Sequence, residues 1–212
     1  MSEQGTKEWR DERAGHATAS RITAITTKPK KGQKASATRD NYKAQLICEI
    51  LSGHATEDEF ESWDMRRGRE LEPQARIEYE LRSKEAVETC GFIKHPHLPR
   101  AGASPDALVG KDGLAQFKCP KSATHLAWLI AGIVPIDHRP QMYFEMACTG
   151  RKWNDFVSYD PNLTGHELFI VRLARDEAEI ELIEKEVVKF NAEVDEVVGK
   201  LTKLPAPEAV AS

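Results

Sequence analysis

Cysteine is scarce, at four in 212 residues (Cys48, Cys90, Cys119 and Cys148). No pair has the C-x-x-C spacing of a zinc knuckle, and so low a density excludes a disulfide scaffold. The four read as reduced, buried thiols. Long apolar runs are also missing. The longest, Ala127 to Ile136, contains Gly132 and Pro135 and is half the ~20 residues a bilayer span needs. No membrane partner is expected. Met1 to Arg10 is polar and has no signal-peptide core, so the expected location is cytoplasmic. There is no excess of positive charge either. Lys and Arg number 30 against 34 Asp and Glu, a net charge of −4. Taken alone, that disfavours a nucleic-acid binder, which needs cations for phosphates; a protein acidic outside can still be basic along one groove. What is present, 40% hydrophobic and 30% charged residues, is an ordinary soluble composition. At ~100–200 residues per domain, residues 1–204 form a single domain, and the Pro-containing 205–212 reads as a disordered tail.

Thr6 to Thr27 reads as two short helices, with Thr18 or Ser20 capping the second. Lys28-Pro-Lys-Lys-Gly-Gln-Lys34 cannot be a helix interior or a central strand; it is a solvated loop or one that touches phosphates. Arg39 to Leu51 has helical spacing and ends at Gly53. Glu57 to Glu61 is an acidic turn. Trp63 to Lys84 reads as a long helix, and Pro73 argues that its regular part starts near Glu72. Val87, Thr89, Gly91 and Ile93 alternate like a half-buried strand. Ala107–Val109 and Leu114–Cys119 flank Gly110-Lys-Asp-Gly113, a hairpin signal. Thr124–Ile130 and Gln141–Thr149 read as helices, Trp153–Tyr159 and Glu167–Leu173 as strands. Asp176–Leu201 is a long amphipathic helix with Ile180, Ile183, Val187, Phe190 and Val194 on one face. The order implies a mixed α/β layer fold, a central mixed sheet flanked by helices, rather than a βαβ array.

The chemistry concentrates in Ser104-Pro-Asp106, nine residues, then Gln116-Phe-Lys118. An Asp entering a hairpin, with an acid and a Lys two apart on its second strand, is a metal-nuclease arrangement. Side chains at i and i+2 share a strand face. Two acids can hold a divalent cation through hard oxygens, and the Lys can orient the attacking water and offset phosphate charge. Read blandly, the same residues are a surface Asp and Lys flanking an ordinary strand. The seven histidines show no ligand spacing; His95 and His97 flank a proline in a loop and read as structural or solvent-facing.

The sequence resembles the phage lambda exonuclease and YqaJ-type viral recombinase nucleases, PD-(D/E)xK enzymes with a restriction-endonuclease-like core. Trp9-Arg-x-x-Arg13 with Ala17-Thr-Ala-Ser20, Gly68-Arg-Glu-Leu-Glu72-Pro-x-Ala75-Arg, Ser104-Pro-Asp106, Phe117-Lys-Cys-Pro, and Pro140-Gln141-Met-x-x-x-Met146 with Gly150-Arg-x-Trp carry the likeness in order, from about Trp9 to about Leu201. The resemblance implies a Mg2+-dependent 5′-to-3′ exonuclease that degrades one strand of linear duplex DNA and leaves a 3′ overhang. It implies two Mg2+ ions, with Mn2+ able to substitute, held by Asp106, position 116 and Glu72. Lys118 would activate the water, and Gln141 belongs to the catalytic set. Arg13, Ser20, Ser104 and Gln141 would receive the 5′-phosphate. Lys28, Lys30 and Lys31 would meet DNA, with Lys30 in the minor groove, and Met65 would act as an apolar wedge that parts the last base pairs. It also implies a homotrimeric ring, a single-strand annealing partner protein, and work in a bacterial or phage-infected cell. Blander roles stay open: Glu72 as a helix-dipole acid, Arg13 as an ion-pair partner, Met65 as core filler, Ser20 as a cap.

Position 116 departs from the pattern, with Gln where Glu or Asp belongs. The amide is isosteric with Glu but offers a cation only a carbonyl dipole, so metal affinity and water activation should fall. Such a chain is an exonuclease deliberately inactivated to hold DNA uncut, the reading favoured by the intact remainder of the motif, or a natural variant working with one ligand fewer. A non-catalytic DNA-end binding module and an endonuclease of the same core are the competing functions.

Overall fold

The computed structural model describes residues 2–28, 36–56 and 62–204. The acidic turn at 57–61, Lys30, Lys31 and the tail at 205–212 lie outside them.

The chain opens with α1 (Lys7–Arg13), a two-residue strand β1 (Ala17–Thr18), a 3-10 turn (Ala19–Arg21) and α2 (Ile22–Thr26). Neither Thr18 nor Ser20 caps α2. Its N-cap is Arg21, and Ser20 lies inside the 3-10 turn, where its hydroxyl accepts from Arg13 Nη2 at 3.2 Å. Next come α3 (Ala37–Ser52) and α4 (Trp63–Ser83). Helix α4 runs unbroken through Pro73, so the regular helix begins nine residues before Glu72, at Trp63. Proline costs α4 one backbone bond and crowds the preceding turn. Tertiary anchoring outweighs that cost. Ser62 caps the N-terminus by accepting from Met65 N at 3.2 Å. Ala75 and Tyr79 are fully buried, and the Tyr79 hydroxyl donates to Asp155 at 2.8 Å.

Strands β2 (Val87–Glu88), β3 (Ile93–Lys94), β4 (Ala101–Ala103), β5 (Ala107–Val109) and β6 (Gly113–Lys118) follow. Then come α5 (Ser122–Ala131), a 3-10 turn (Ile136–His138), α6 (Arg139–Thr149), β7 (Trp153–Tyr159), β8 (Leu168–Ala174) and α7 (Glu177–Leu201). The expected central mixed sheet is five-stranded, ordered β2-β5-β6-β7-β8, with only β6–β7 parallel. A second sheet, β1-β4-β3, stands beside it. The single strand expected over Val87–Ile93 is two: β2 pairs with β5 and β3 with β4. Alternation marks a half-buried strand but not which sheet receives it.

Leu114, Gln116 and Lys118 alternate with Ala115 and Phe117 along β6. Ala115 and Phe117 pack with Ala75 and Tyr79 of α4, while Leu114 packs among α2, α3, α6 and α7. The α7 face chosen by periodicity is buried as expected, and Asp176 caps the helix through Ala178 N and Glu179 N. Cys90, Cys119 and Cys148 are buried, but Cys48 is exposed, because α3 turns Tyr42, Leu46 and Glu49 inward instead. His95 is buried and structural. Its Nδ1 accepts from His97 N and Leu98 N, which leaves Nε2–H to donate to Glu184 at 3.0 Å. Among the described residues no helix is long and apolar enough to cross a membrane.

Candidate active site

The β5–β6 hairpin builds the centre. Its turn is tight because Gly110 takes φ +49. Gly113 lies under the Trp153 ring, where a Cβ would meet ring atoms at 2.0 Å. Arg151 holds the hairpin from below: Nη1 donates to the carbonyls of Val109, Gly110 and Gly113 at 3.2, 2.8 and 2.7 Å. Asp106 stands at the entry to β5, and its Oδ2 accepts from Phe117 N at 2.8 Å and Gln116 Nε2 at 3.0 Å. Gln116 is 1% exposed, and its Oε1 is buried without a hydrogen-bond partner. Lys118 ends β6 on the same face as Gln116.

Helix α4 brings the second carboxylate. Glu72, Asp106 and Lys118 line one cavity of about 750 Å³ together with Trp9, Met65 and Trp128. Burial raises the Glu72 pKa above the ordinary carboxylate range, and the negative charge of Asp106 raises it further. Arg76, one turn on, ties the two together: Nη2 donates to Glu72 Oε1 at 3.2 Å and to the Asp106 carbonyl at 3.0 Å. Glu72 and Asp106, beside the unpartnered amide oxygen of Gln116, form a donor set of hard oxygens short of one cation. That suits a magnesium-like ion, which keeps several waters and needs one or two carboxylates. Among the described residues no group of three His, Cys, Asp or Glu side chains is placed to hold a metal. Cys119 beside Lys118 is no nucleophile, since burial pushes its thiol up to about 11.

The four residues assigned to phosphate come from four places, α1, the first 3-10 turn, the loop after β4, and α6. Arg13 reaches Ser20, as above, and its guanidinium lies 4.0 Å over the Trp9 ring. The Trp9 indole N–H donates to Ser104 Oγ at 3.0 Å. Gln141 is on α6, which packs against the 3-10 turn carrying Ser20 and against β4, the strand leading to Ser104. Gln141 Nε2 donates to Glu145 at 2.8 Å. Met65, 56% exposed, sits on the cavity rim; it is not core filler. Lys28 lines a separate groove among α2, α3, α6 and α7, not the Asp106 cavity. Sequence reasoning overlooked Trp9, Arg76, Arg151 and Glu145. The first three lie inside the quoted motifs, and Glu145 is a lone acid in an apolar run.

The comparisons bear on this constellation. A model of the YqaJ-like viral recombinase domain matches residues 8–152, a span that includes Arg13, Glu72, Asp106, Lys118 and Gln141. The chain belongs to that family. Among solved structures, the family member resembles an alkaline exonuclease (LHK-Exo) from Laribacter hongkongensis at 42% identity and TM-score 0.86, over 93% of this chain and 97% of that one. The same exonuclease in complex with dAMP matches equally well. A phage related exonuclease from Haemophilus somnus 129PT shares the fold at TM-score 0.63 and 17% identity, over 88% of this chain and 96% of that one. The restriction-endonuclease-like architecture expected from the sequence is therefore the observed one. No curated protein matches the chain.

Proposed function

We propose that this YqaJ-family chain is a divalent-metal deoxyribonuclease of the 5′-to-3′ exonuclease type, acting on linear duplex DNA and leaving a 3′ overhang. The observation that carries this is the meeting of Asp106, Glu72 and Lys118 in one cavity, on a hairpin and a helix. Asp106, Glu72 and the Gln116 carbonyl would hold Mg2+, which supplies Lewis-acid activation of water and of a phosphate oxygen. Lys118 orients the water and offsets phosphate charge. Arg13, Ser20, Ser104 and Gln141 seat the 5′-phosphate, which suits the dAMP complex of the Laribacter enzyme. Met65 wedges the terminal base pairs, Lys30 enters the minor groove, and Lys28 and Lys31 also meet the DNA. A homotrimeric ring, an annealing partner and a cytoplasmic setting complete the reading.

Cleavage should be slow as the chain stands. The hydrogen bond from Gln116 to Asp106 satisfies an oxygen that a cation would otherwise take. That same bond favours the second reading, a DNA-end binding module without turnover. Digestion of end-labelled linear duplex with Mg2+ by the Gln116→Glu form separates the two: the exonuclease reading predicts mononucleotide release from 5′ ends. Cutting of a circular duplex would instead indicate an endonuclease.

A further inference from the structure

We propose that Glu145 is a positioning residue for the 5′-phosphate site, acting through Gln141; this rests on the reading of Gln141 as a phosphate contact. Glu145 is wholly buried on α6. Its neighbours on the helix, Met142, Phe144, Met146, Ala147 and Cys148, are buried as well, and all are apolar. A carboxyl group placed there costs stability unless its bonds serve a purpose. Its bonds go to two amides, one on each side. Oε1 accepts from Gln141 Nε2 at 2.8 Å and Oε2 accepts from Asn154 Nδ2 at 2.8 Å. No cation is among these partners.

As a stabilising device the arrangement is poor. Asn154 Oδ1 is left buried without a partner, and burial pushes the Glu145 carboxyl up to about 8. As a positioning device it is well made. The Glu145 oxygen that faces Gln141 accepts from its Nε2, and that bond fixes which end of the Gln141 amide turns inward. Asn154 is pinned in β7 opposite Leu114, one pleat from Gln116, so Glu145 ties the first turn of α6 to the strand beside the catalytic hairpin. Removing Glu145 frees the Gln141 side chain to turn, and the phosphate contact is then made from a population of rotamers instead of one.

The test is a double-mutant cycle read by binding, which needs no turnover. Fluorescence anisotropy gives the affinities of short duplexes carrying 5′-phosphate or 5′-hydroxyl, for the unaltered chain, Gln141→Ala, Glu145→Gln and the double variant. The unaltered chain should prefer the 5′-phosphate. Gln141→Ala and Glu145→Gln should each cut that preference about tenfold, the scale of one lost charge-assisted bond. The double variant should be no worse than Gln141→Ala. Glu145→Leu, which removes the buried acid and keeps the volume, should give the same loss in a folded protein and guards against misfolding of the Gln form. An undiminished preference in Glu145→Gln and Glu145→Leu, or additive losses in the double variant, would overturn the role of Glu145 while leaving the phosphate site standing. No preference in the unaltered chain would overturn both.

Discussion

Gln116 Nε2 donates to Asp106 Oδ2 at 3.0 Å, and the same oxygen takes the Phe117 amide at 2.8 Å. An amide at position 116 therefore serves as a hydrogen-bond donor where an acid would serve as a ligand. With Glu at 116, two carboxylates would face each other in a buried site and repel until a cation separates them. Gln116→Glu should lower the stability of the metal-free protein by about 1–3 kcal/mol, the cost of an unmatched buried polar pair. Saturating Mg2+ should restore it. Thermal melts with EDTA and with Mg2+ check this, and equal Mg2+ shifts for both forms would remove position 116 from the metal site.

Arg13→Ala should weaken binding of 5′-phosphorylated ends by roughly 10–100-fold and leave 5′-hydroxyl ends nearly unchanged. A guanidinium fork fits phosphate oxygens, and such charged bonds are worth about 1.5–3 kcal/mol. Paired affinity measurements on the two duplexes decide it. Equal losses would make Arg13 a structural partner of Ser20 and Trp9.

Arg151 tests how rigid the hairpin must be. Arg151→Ala strips one donor group from three carbonyls and should cost about 2–4 kcal/mol, since orphaned acceptors cost about 1–3 each and water recovers some. Arg151→Lys should recover little, because the lysine chain is one bond shorter than the path to Nη1 and its ammonium falls short of the three carbonyls. Urea unfolding midpoints give the answer.

The buried acid on α6 sets a pH dependence. Glu145 titrates near 8 in the fold against an ordinary value of 4.5, chiefly from burial. Below about pH 4.5 both folded and unfolded chains carry the proton, and stability is unaffected. Between there and about pH 8 the unfolded chain releases the proton while the folded chain keeps it. Stability therefore falls as pH rises, by up to ~1.4 kcal/mol per pH unit, and levels off above about 8. Glu72, also raised, adds a slope of the same sign. Glu145→Gln should flatten most of the decline in melting temperature between pH 5 and 8. An unchanged decline would mean that Glu145 is ionised throughout.

Local signals were legible in the sequence, and long-range ones were not. The β5–β6 hairpin could be read because Gly-Lys-Asp-Gly sets the turn and alternation sets the strands. Helix α7 could be read because one apolar stripe repeats at helical spacing. Pro73 misled the reading of α4, since a proline's local cost is visible in sequence while the burial of Ala75 and Tyr79 that outweighs it is not. The Val87–Ile93 segment misled for a related reason: β2 and β3 are assigned to different sheets by partners elsewhere in the chain. In the site, Asp106 and Lys118 could be paired from spacing alone, but Arg76, Arg151 and Glu145 could not. Their bonds go to backbone or to amides on other elements. The i, i+4 spacing of Gln141 and Glu145 was the one local trace of the buried network.

The most direct test of the account puts one 5′-phosphorylated linear duplex through a gel shift and a Mg2+-dependent cleavage time course, with this chain and with Gln116→Glu. On the proposed reading, binding rests on Arg13 and the lysines meeting phosphates, so both forms should shift the DNA alike. On the same reading, cleavage needs a metal-activated water, and restoring the acid should speed it by about 10²–10³. Similar cleavage rates for the two forms, or no cleavage by Gln116→Glu despite normal binding, would contradict the account.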